Sequence, residues 1–481
     1  KSNSFCTLLV GIMRRTLPSR IIAAWDAFPH MGTGFGSVSV TKPDSSNIVD
    51  AGVERTTLSN GVTVVTHDQG CVAATVGLFA DAGAKYDSPS TPGLAHVHRQ
   101  ALFAGNMHNS MFQIDRAFRA IGGSYGTSEV NKRWIGAWGS ANRAHFRTVL
   151  DELAPGFAVP RYAESDIERF RDHMDNQLEE LRWNFPRTYA VDQLERVAFY
   201  KEPLGNPRMV PPEGNSMCTS NAVIEKYASF MAPSRIVLVG VNVGMQELVA
   251  AYENQAFEHS ATAPHHARAQ TTPQIDGVAD EKAQFYAAKT QFEYENRADA
   301  MKTKPDMEQE GIAAIGWLTH GADGTVQEYA AGLVYAEMLA CSVGEGLYNP
   351  AAERTANGIA SFYRPYSTAG LVGFTVRAAP ENLSGLVQTA AKSLPTDLAN
   401  VLAPAKVRAA SRFFADRVEN ATDYAAFLAS SKFSAEEVLQ AIDQVTIGAA
   451  AQANDLARSK KPSLFATGDV LRLPTAEKLA L

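Results

Sequence analysis

The sequence predicts an α+β protein of two homologous domains, each an antiparallel-rich mixed sheet with helices packed on one face. Three observations predict it. A length of 481 residues exceeds what one ordinary core holds. Short runs of alternating polarity interleave with helical stretches. A strand–turn–helix pattern also recurs further along the chain at a nearly fixed spacing.

In chain order, residues 1–49 form a presequence-like arm. Its first 40 residues carry Lys1, Arg14, Arg15 and Arg20 against the single acid Asp26, with serines among apolar residues, the composition of a mitochondrial presequence. The first domain spans 50–254. A hairpin is predicted over Thr57–His67, because Ser59-Asn60-Gly61 separates two apolar runs. Strands follow at Val72–Ala80 and Arg133–Gly139, with helices at Phe112–Ile121 and Ala163–Trp183, the second rich in Glu–Arg pairs at helical spacing. Residues 255–280, with Pro264, His265, His266, Pro273 and Gly277, have linker composition. The second domain spans 281–481.

The repeat supports that division. Thr75 onward (TVGLFADAGAKYDSPSTPGLAHVHRQALF) matches Ala314 onward (AIGWLTHGADGTVQEYAAGLVYAEMLA), setting Gly77 on Gly316, Leu78 on Trp317, Gly93 on Gly332 and Ala101 on Ala340. Each copy reads as a strand, a turn, then a helix opened by Gly-Leu. Ile121–Tyr125 and Trp134–Trp138 then match Asn357–Ser361 and Gly370–Phe374, and the closing strand Ile236–Val241 matches Ser463–Gly468.

Composition excludes several functions. The 45% apolar and 20% charged content is that of a soluble globular chain. A net charge of −7 offers no basic face for nucleic acid. No apolar run is long enough to span a bilayer, so membrane association has to come through partners. Four scattered cysteines, Cys6, Cys71, Cys218 and Cys341, fit a reducing compartment rather than a disulfide framework. No G-x-S-x-G, P-loop or dinucleotide-binding glycine fingerprint occurs in the context it needs. His265-His266, Glu179-Glu180 and the acids of Asp306–Glu310 read as solvated, and Trp134 and Trp138 as core.

The segment Gly93–Gly105, GLAHVHRQALFAG, is the informative one. It resembles the metal-binding helix of the pitrilysin-type (M16) metallopeptidases, the family of insulin-degrading enzyme, the mitochondrial processing peptidase and the core proteins of respiratory complex III. Active members carry H-x-x-E-H there: two histidines four apart hold zinc and the glutamate activates water, with a distal glutamate about 75 residues on. Here the frame reads His96, Val97, His98, Arg99, Gln100. Arg99 is a permanent cation that accepts no proton from water, and Gln100 is a poor zinc ligand. His98 is no substitute, because two residues along a helix turn it roughly 200° away from His96.

The resemblance places the distal carboxylate at Asp175, after Glu168-Arg169. It makes His96, Arg99, Gln100 and Asp175 degenerate former zinc positions, with no catalytic residue, bound metal or cofactor. In the second copy the matching helix reads Tyr335–Leu339, and the place of the family's carbonyl-binding tyrosine, within Asn357–Phe362, shows Ser361, with Tyr363 nearby.

Among inactive relatives, the second core protein of complex III keeps a lone histidine followed three residues on by arginine, as His96 and Arg99 do. The processing-peptidase α subunit carries a long glycine-rich loop, whereas Leu339–Asn349 holds only Gly344 and Gly346. The resemblance therefore implies a non-catalytic core subunit of complex III, with the α subunit as the alternative. It would sit peripherally on the matrix face of the mitochondrial inner membrane. Its implied partners are a first core protein or β-like processing-peptidase subunit, and the cytochrome b and c1 subunits.

Overall fold

The computed structural model describes residues 52–255, 283–294, 310–344 and 358–479. The N-terminal arm, the linker beyond Gln255 with His265-His266, Asp306 of the acidic run, Asn357 and the end of the Leu339–Asn349 loop lie outside the described residues.

The first half of the chain supplies β1 (Val53–Thr57), β2 (Thr63–His67) and β3 (Ala73–Ala80), then α1 (Leu94–Ala101) and α2 (Met111–Ala120). Next come β4 (Ser124–Val130), β5 (Trp134–Asn142), α3 (Phe146–Ala158), α4 (Glu164–Asn184) and α5 (Pro186–Ala198). It closes with α6 (Ser220–Phe230), β6 (Ile236–Val241) and α7 (Met245–Gln255). The second half supplies β7 (Thr290–Tyr294), β8 (Gly311–Thr319), α8 (Val326–Ser342), β9 (Ile359–Pro365) and β10 (Gly370–Ala378). Helices α9 (Pro380–Lys392), α10 (Leu398–Arg417), α11 (Ala421–Ser430), α12 (Ala435–Gln444) and α13 (Ile447–Arg458) follow, and β11 (Ser463–Gly468) ends it.

The two halves repeat one topology. The first sheet runs β1-β2-β6-β3-β5-β4 and the second β7-β11-β8-β10-β9. In each, one parallel pair (β2 with β6, β7 with β11) adjoins a run of antiparallel pairs. The Asn-Gly hairpin forms as predicted. β1 and β2 pair antiparallel, Gly61 takes φ +94°, and the Asn60 side chain accepts from the Val62 amide.

Two details depart from the sequence reading. Gly332 does not open a helix. α8 begins six residues earlier at Val326, because Thr325 and Glu328 form a reciprocal capping box. Gly332 lies in its interior, where an added Cβ would come within 2.6 Å of the Tyr363 hydroxyl. The match between copies also slips. Gly77 pairs with Trp138 and Val239, and Gly316 with Gly373 and Ser463. Equivalence of the two glycines therefore places Trp138 opposite Gly373 rather than Phe374, and Val239 rather than Ile236 opposite Ser463. These central strands are apolar on both faces, so no alternation of polarity fixes their phase.

The second face of each sheet is buried as well, under a helix from the other half. On the first sheet, Val64, Val76, Leu78 and Leu238 face the first half's own helices, while Val65, Phe79, Val237 and Val239 join the core that contains Tyr424 and Phe427 of α11. On the second sheet, Ile315, Trp317, Val372 and Phe374 face α8 and its neighbours, while Ile312, Ala314, Leu371 and Phe465 pack on Tyr189, Ala190, Leu194 and Ala198 of α5. Each half thus lends one helix to the other half's sheet.

Local sequence arranges this exchange. Pro186 cannot continue α4, and Phe185 before it leaves the helical region (φ −128°, ψ 55°), so the chain turns and starts α5 with proline at its first position. At the other crossing, Arg55 of β1 donates to the Leu428 and Ser431 carbonyls at the end of α11 (3.2 and 2.7 Å), and His67 of β2 bonds the Tyr424 hydroxyl (2.6 Å).

A chain tied this way should unfold as one unit. Leu194→Ala, on the fully buried face of α5, is expected to cost about 3 kcal/mol. Guanidinium unfolding followed by tryptophan fluorescence and by far-UV circular dichroism should show one coincident, shifted transition. Two resolved transitions would mean that the halves are independent.

Candidate functional site

The helix carrying His96 is held by its surroundings. Gly93 precedes it at φ +79°, with the Val210 backbone so close that a Cβ would lie 2.6 Å from it. No side chain caps α1 locally. Instead the buried Asp87 carboxylate accepts from the Ala95 amide with both oxygens (3.1 and 3.2 Å) and from the Lys226 ammonium at 2.6 Å. A buried anion at a helix N-terminus complements the free amides and the helix dipole there.

On this helix His96, Arg99 and Gln100 share one face and His98 lies on another, as the spacing requires. His96 is nearly buried, and both ring nitrogens are engaged: Nε2 with the Gln177 amide oxygen at 2.8 Å and Nδ1 with Arg99 Nη2 at 2.9 Å. Because Arg99 only donates, Nδ1 accepts and Nε2 carries the proton. Burial first, then the Arg99 charge, depress the His96 pKa to about 4, so the ring is neutral at physiological pH. His98 is fully buried against Tyr162, bonded to its hydroxyl at 2.8 Å. Burial and then Lys226 push its pKa down to about 3.

Gln177, not Asp175, faces His96 from α4. Asp175 is exposed, and two residues of helix turn it away from the position that Gln177 occupies. The sequence carried the signal: Ile167, Phe170, Met174, Gln177 and Leu181 follow the three-four spacing of one buried stripe, with Gln177 its polar member. The spacing of about 75 residues tolerates either position, whereas the helical phase selects 177. The face therefore presents His96, Arg99, Gln100 and Gln177. It holds a single metal-binding imidazole and no carboxylate, and a cation lies 2.9 Å from that ring. Among the described residues, no group of three His, Cys, Asp or Glu side chains is placed to hold a metal ion. These residues do not fit a zinc site.

Beside the site lies a buried charge network that the sequence reading missed. Burial lowers the Arg99 pKa from its ordinary value, the Glu129 charge works against that and the Arg208 charge with it, and Glu129 accepts from Arg208 at 3.1 Å. Arg208 also bonds both oxygens of Glu195 (3.3 and 3.3 Å) and approaches Asp192 at 3.4 Å. Lys132 sits in the β4–β5 turn at φ +58° with its side chain inaccessible to solvent. Its ammonium meets three acceptors, the Leu204 and Asn206 carbonyls (2.8 Å each) and Glu195 (2.7 Å). Three acceptors match the three protons of an ammonium. Burial opposes the Glu195 charge, but Arg208, Lys132 and Arg364 outweigh it and hold the carboxyl near 2. Among the described residues three ion pairs cross to the second half: Arg364 of β9 to Glu195 (3.8 Å), Arg133 to Asp323 (3.0 Å) and Arg182 to Glu293 (3.9 Å).

The second half offers no alternative chemistry at the matching positions. Glu337 of α8 is buried and paired with Arg408 (2.9 Å) and Arg412. Ser361 is buried in β9, and the Tyr363 hydroxyl donates to the His320 carbonyl at 2.9 Å.

Residues 62–212 match the family model described as Insulinase (Peptidase family M16). A protein of Arabidopsis thaliana named "Probable mitochondrial-processing peptidase subunit alpha-2" is 22% identical over 94% of this chain and 90% of its own length. The mitochondrial-processing peptidase subunit beta of Neurospora crassa is 26% identical over 50% of this chain and 47% of its own. Cytochrome b-c1 complex subunit 1 of Caenorhabditis elegans is 24% identical over 47% of this chain and 46% of its own.

Two outcomes follow. His98 has a folded-state pKa near 3 and an unfolded one near 6.5, so around pH 5 only the unfolded chain carries its proton and stability falls as pH falls. In urea titrations between pH 6 and pH 5, His98→Asn should lower the slope of stability against pH by about 1.4 kcal/mol per pH unit. An unchanged slope would show that His98 titrates normally. Lys132→Met should cost about 3–5 kcal/mol by chemical denaturation, because it leaves Glu195 short of a partner, and adding Glu195→Gln should recover part of the loss.

Proposed function

We propose that this peptidase family M16 homologue is a non-catalytic subunit, a core protein 2-like part of mitochondrial respiratory complex III on the matrix face of the inner membrane. One observation carries the loss of catalysis: His96, the single histidine on the site's face of the helix, is bonded on both nitrogens, to an amide and to a guanidinium. With one imidazole, a guanidinium and two amides on that face, the site has neither the ligands to hold a metal ion nor a carboxylate base to activate water. What remains is a large two-sheet body whose value lies in its surfaces. Among the described residues no helix is long and apolar enough to cross a membrane, which suits attachment through partner subunits. The expected partners are a core protein 1 or β-like M16 subunit and, through the complex, the cytochrome b and c1 subunits.

A second reading has its own support. The likeness to a processing-peptidase α subunit spans nearly the whole chain, whereas the likeness to the b-c1 subunit spans about half. On that reading the chain is the non-catalytic, substrate-binding half of a processing peptidase.

Gentle detergent extraction of mitochondrial membranes, followed by native separation, distinguishes them. The chain should migrate with the cytochrome b and c1 haem absorbance. Recovery only in the soluble fraction, with a β-type partner whose presequence cleavage it accelerates, would favour the α-subunit reading. Stoichiometric zinc in the purified chain, together with peptide cleavage abolished by His96→Ala, would refute both.

A further inference from the structure

We infer that Arg99 is a built-in replacement for the divalent cation of this fold: its guanidinium takes the cation's place beside His96, and its positive charge keeps metal out. The inference rests on the non-catalytic reading and goes beyond it, because it says what fills the place and why it stays closed.

Four observations carry it. Arg99 is the group that engages His96 Nδ1, while Gln177 holds the opposite nitrogen, so an imidazole that would otherwise be a ligand is bracketed by two side chains from α1 and α4. Arg99 is partly buried, its Nη2 is bonded to His96, and its Nε is out of contact with solvent with no acceptor among the described residues, so the guanidinium is held in the site rather than reaching out to water. The acid that favours its charge, Glu129, is bonded to Arg208 and so does not neutralise Arg99 alone. The scaffold under the site is intact: Gly93, the Asp87–Lys226 pair and the buried stripe of α4 still fix where positions 96, 100 and 177 stand.

A metal ion would therefore meet a good backbone frame but two wrong ligands and a like charge. Supplying the ligands should not suffice while the charge remains. Removing the charge as well should open the site, because only short side-chain changes separate His96, Gln100 and Gln177 from a three-ligand set.

Full-length Q100H/Q177E and R99M/Q100H/Q177E, compared with the unmodified chain by equilibrium dialysis against zinc and by thermal melts with and without chelator, test this. We expect about one zinc per chain in R99M/Q100H/Q177E, with a melting temperature that chelator lowers. In Q100H/Q177E we expect binding weaker by about ten- to a hundredfold, in line with the loss that follows when a site's surroundings are wrong. Far-UV circular dichroism confirms that both variants fold. Equal zinc affinity in the two variants would overturn the role of Arg99. No binding by either folded variant would overturn the claim that the frame is preserved. Tight zinc in the unmodified chain would instead overturn the non-catalytic reading, so the two failures are distinct.

Discussion

Everything in this structure depends on the second face of each sheet. Strands such as β8 and β11 are buried on both sides, and a helix layer from their own half covers only one of them. The other is covered by a helix from the other half, α5 on the second sheet and α11 on the first. Neither half completes its own core. Burial of an apolar sheet face is among the largest favourable terms in folding, so this exchange fastens the halves far more strongly than a surface contact would. It also explains why the chain from Val49 onward behaves as one compact unit although it is built from two copies.

The charge network reads naturally against that seam. Lys132, Glu195 and Arg208 are buried because α5 is drawn across to the second sheet, which carries Glu195 away from solvent and toward Arg364. Buried ions are tolerated only when nearly every donor and acceptor is met, as the three acceptors around Lys132 illustrate. Glu129 then extends the same network to Arg99, so the face around His96 and the seam share one electrostatic environment. Substitutions that would be ruinous in a metal site are compatible here, since Arg99 finds both a neutral imidazole and a neighbouring acid.

Much of the site was legible in the residues. That Arg99 accepts no proton and that Gln100 is a poor zinc ligand follow from side-chain chemistry, and the separation of His96 from His98 follows from helical periodicity. Asp175 was misplaced because residue type outweighed phase: a carboxylate at the right distance along the chain was preferred to an amide on the right face of α4. The helix start at Val326 was missed for a related reason. A repeated Gly-Leu pair looked like a boundary, whereas the Thr325–Glu328 capping box set it.

Taken by itself, the sequence determined the class of fold, the repeat, the hairpin at Asn60-Gly61 and the split of His96 from His98 onto different helix faces, since each rests on local periodicity or on what one side chain is able to do. Only the tertiary structure decided which strand pairs with which and at what register, which helix covers which sheet, and that Gln177, Lys132, Glu195 and Arg208 meet around the old site. Those facts depend on contacts between residues far apart along the chain. A buried strand apolar on both faces, or a lone lysine in a turn, carries no local mark of the partner that will complete it.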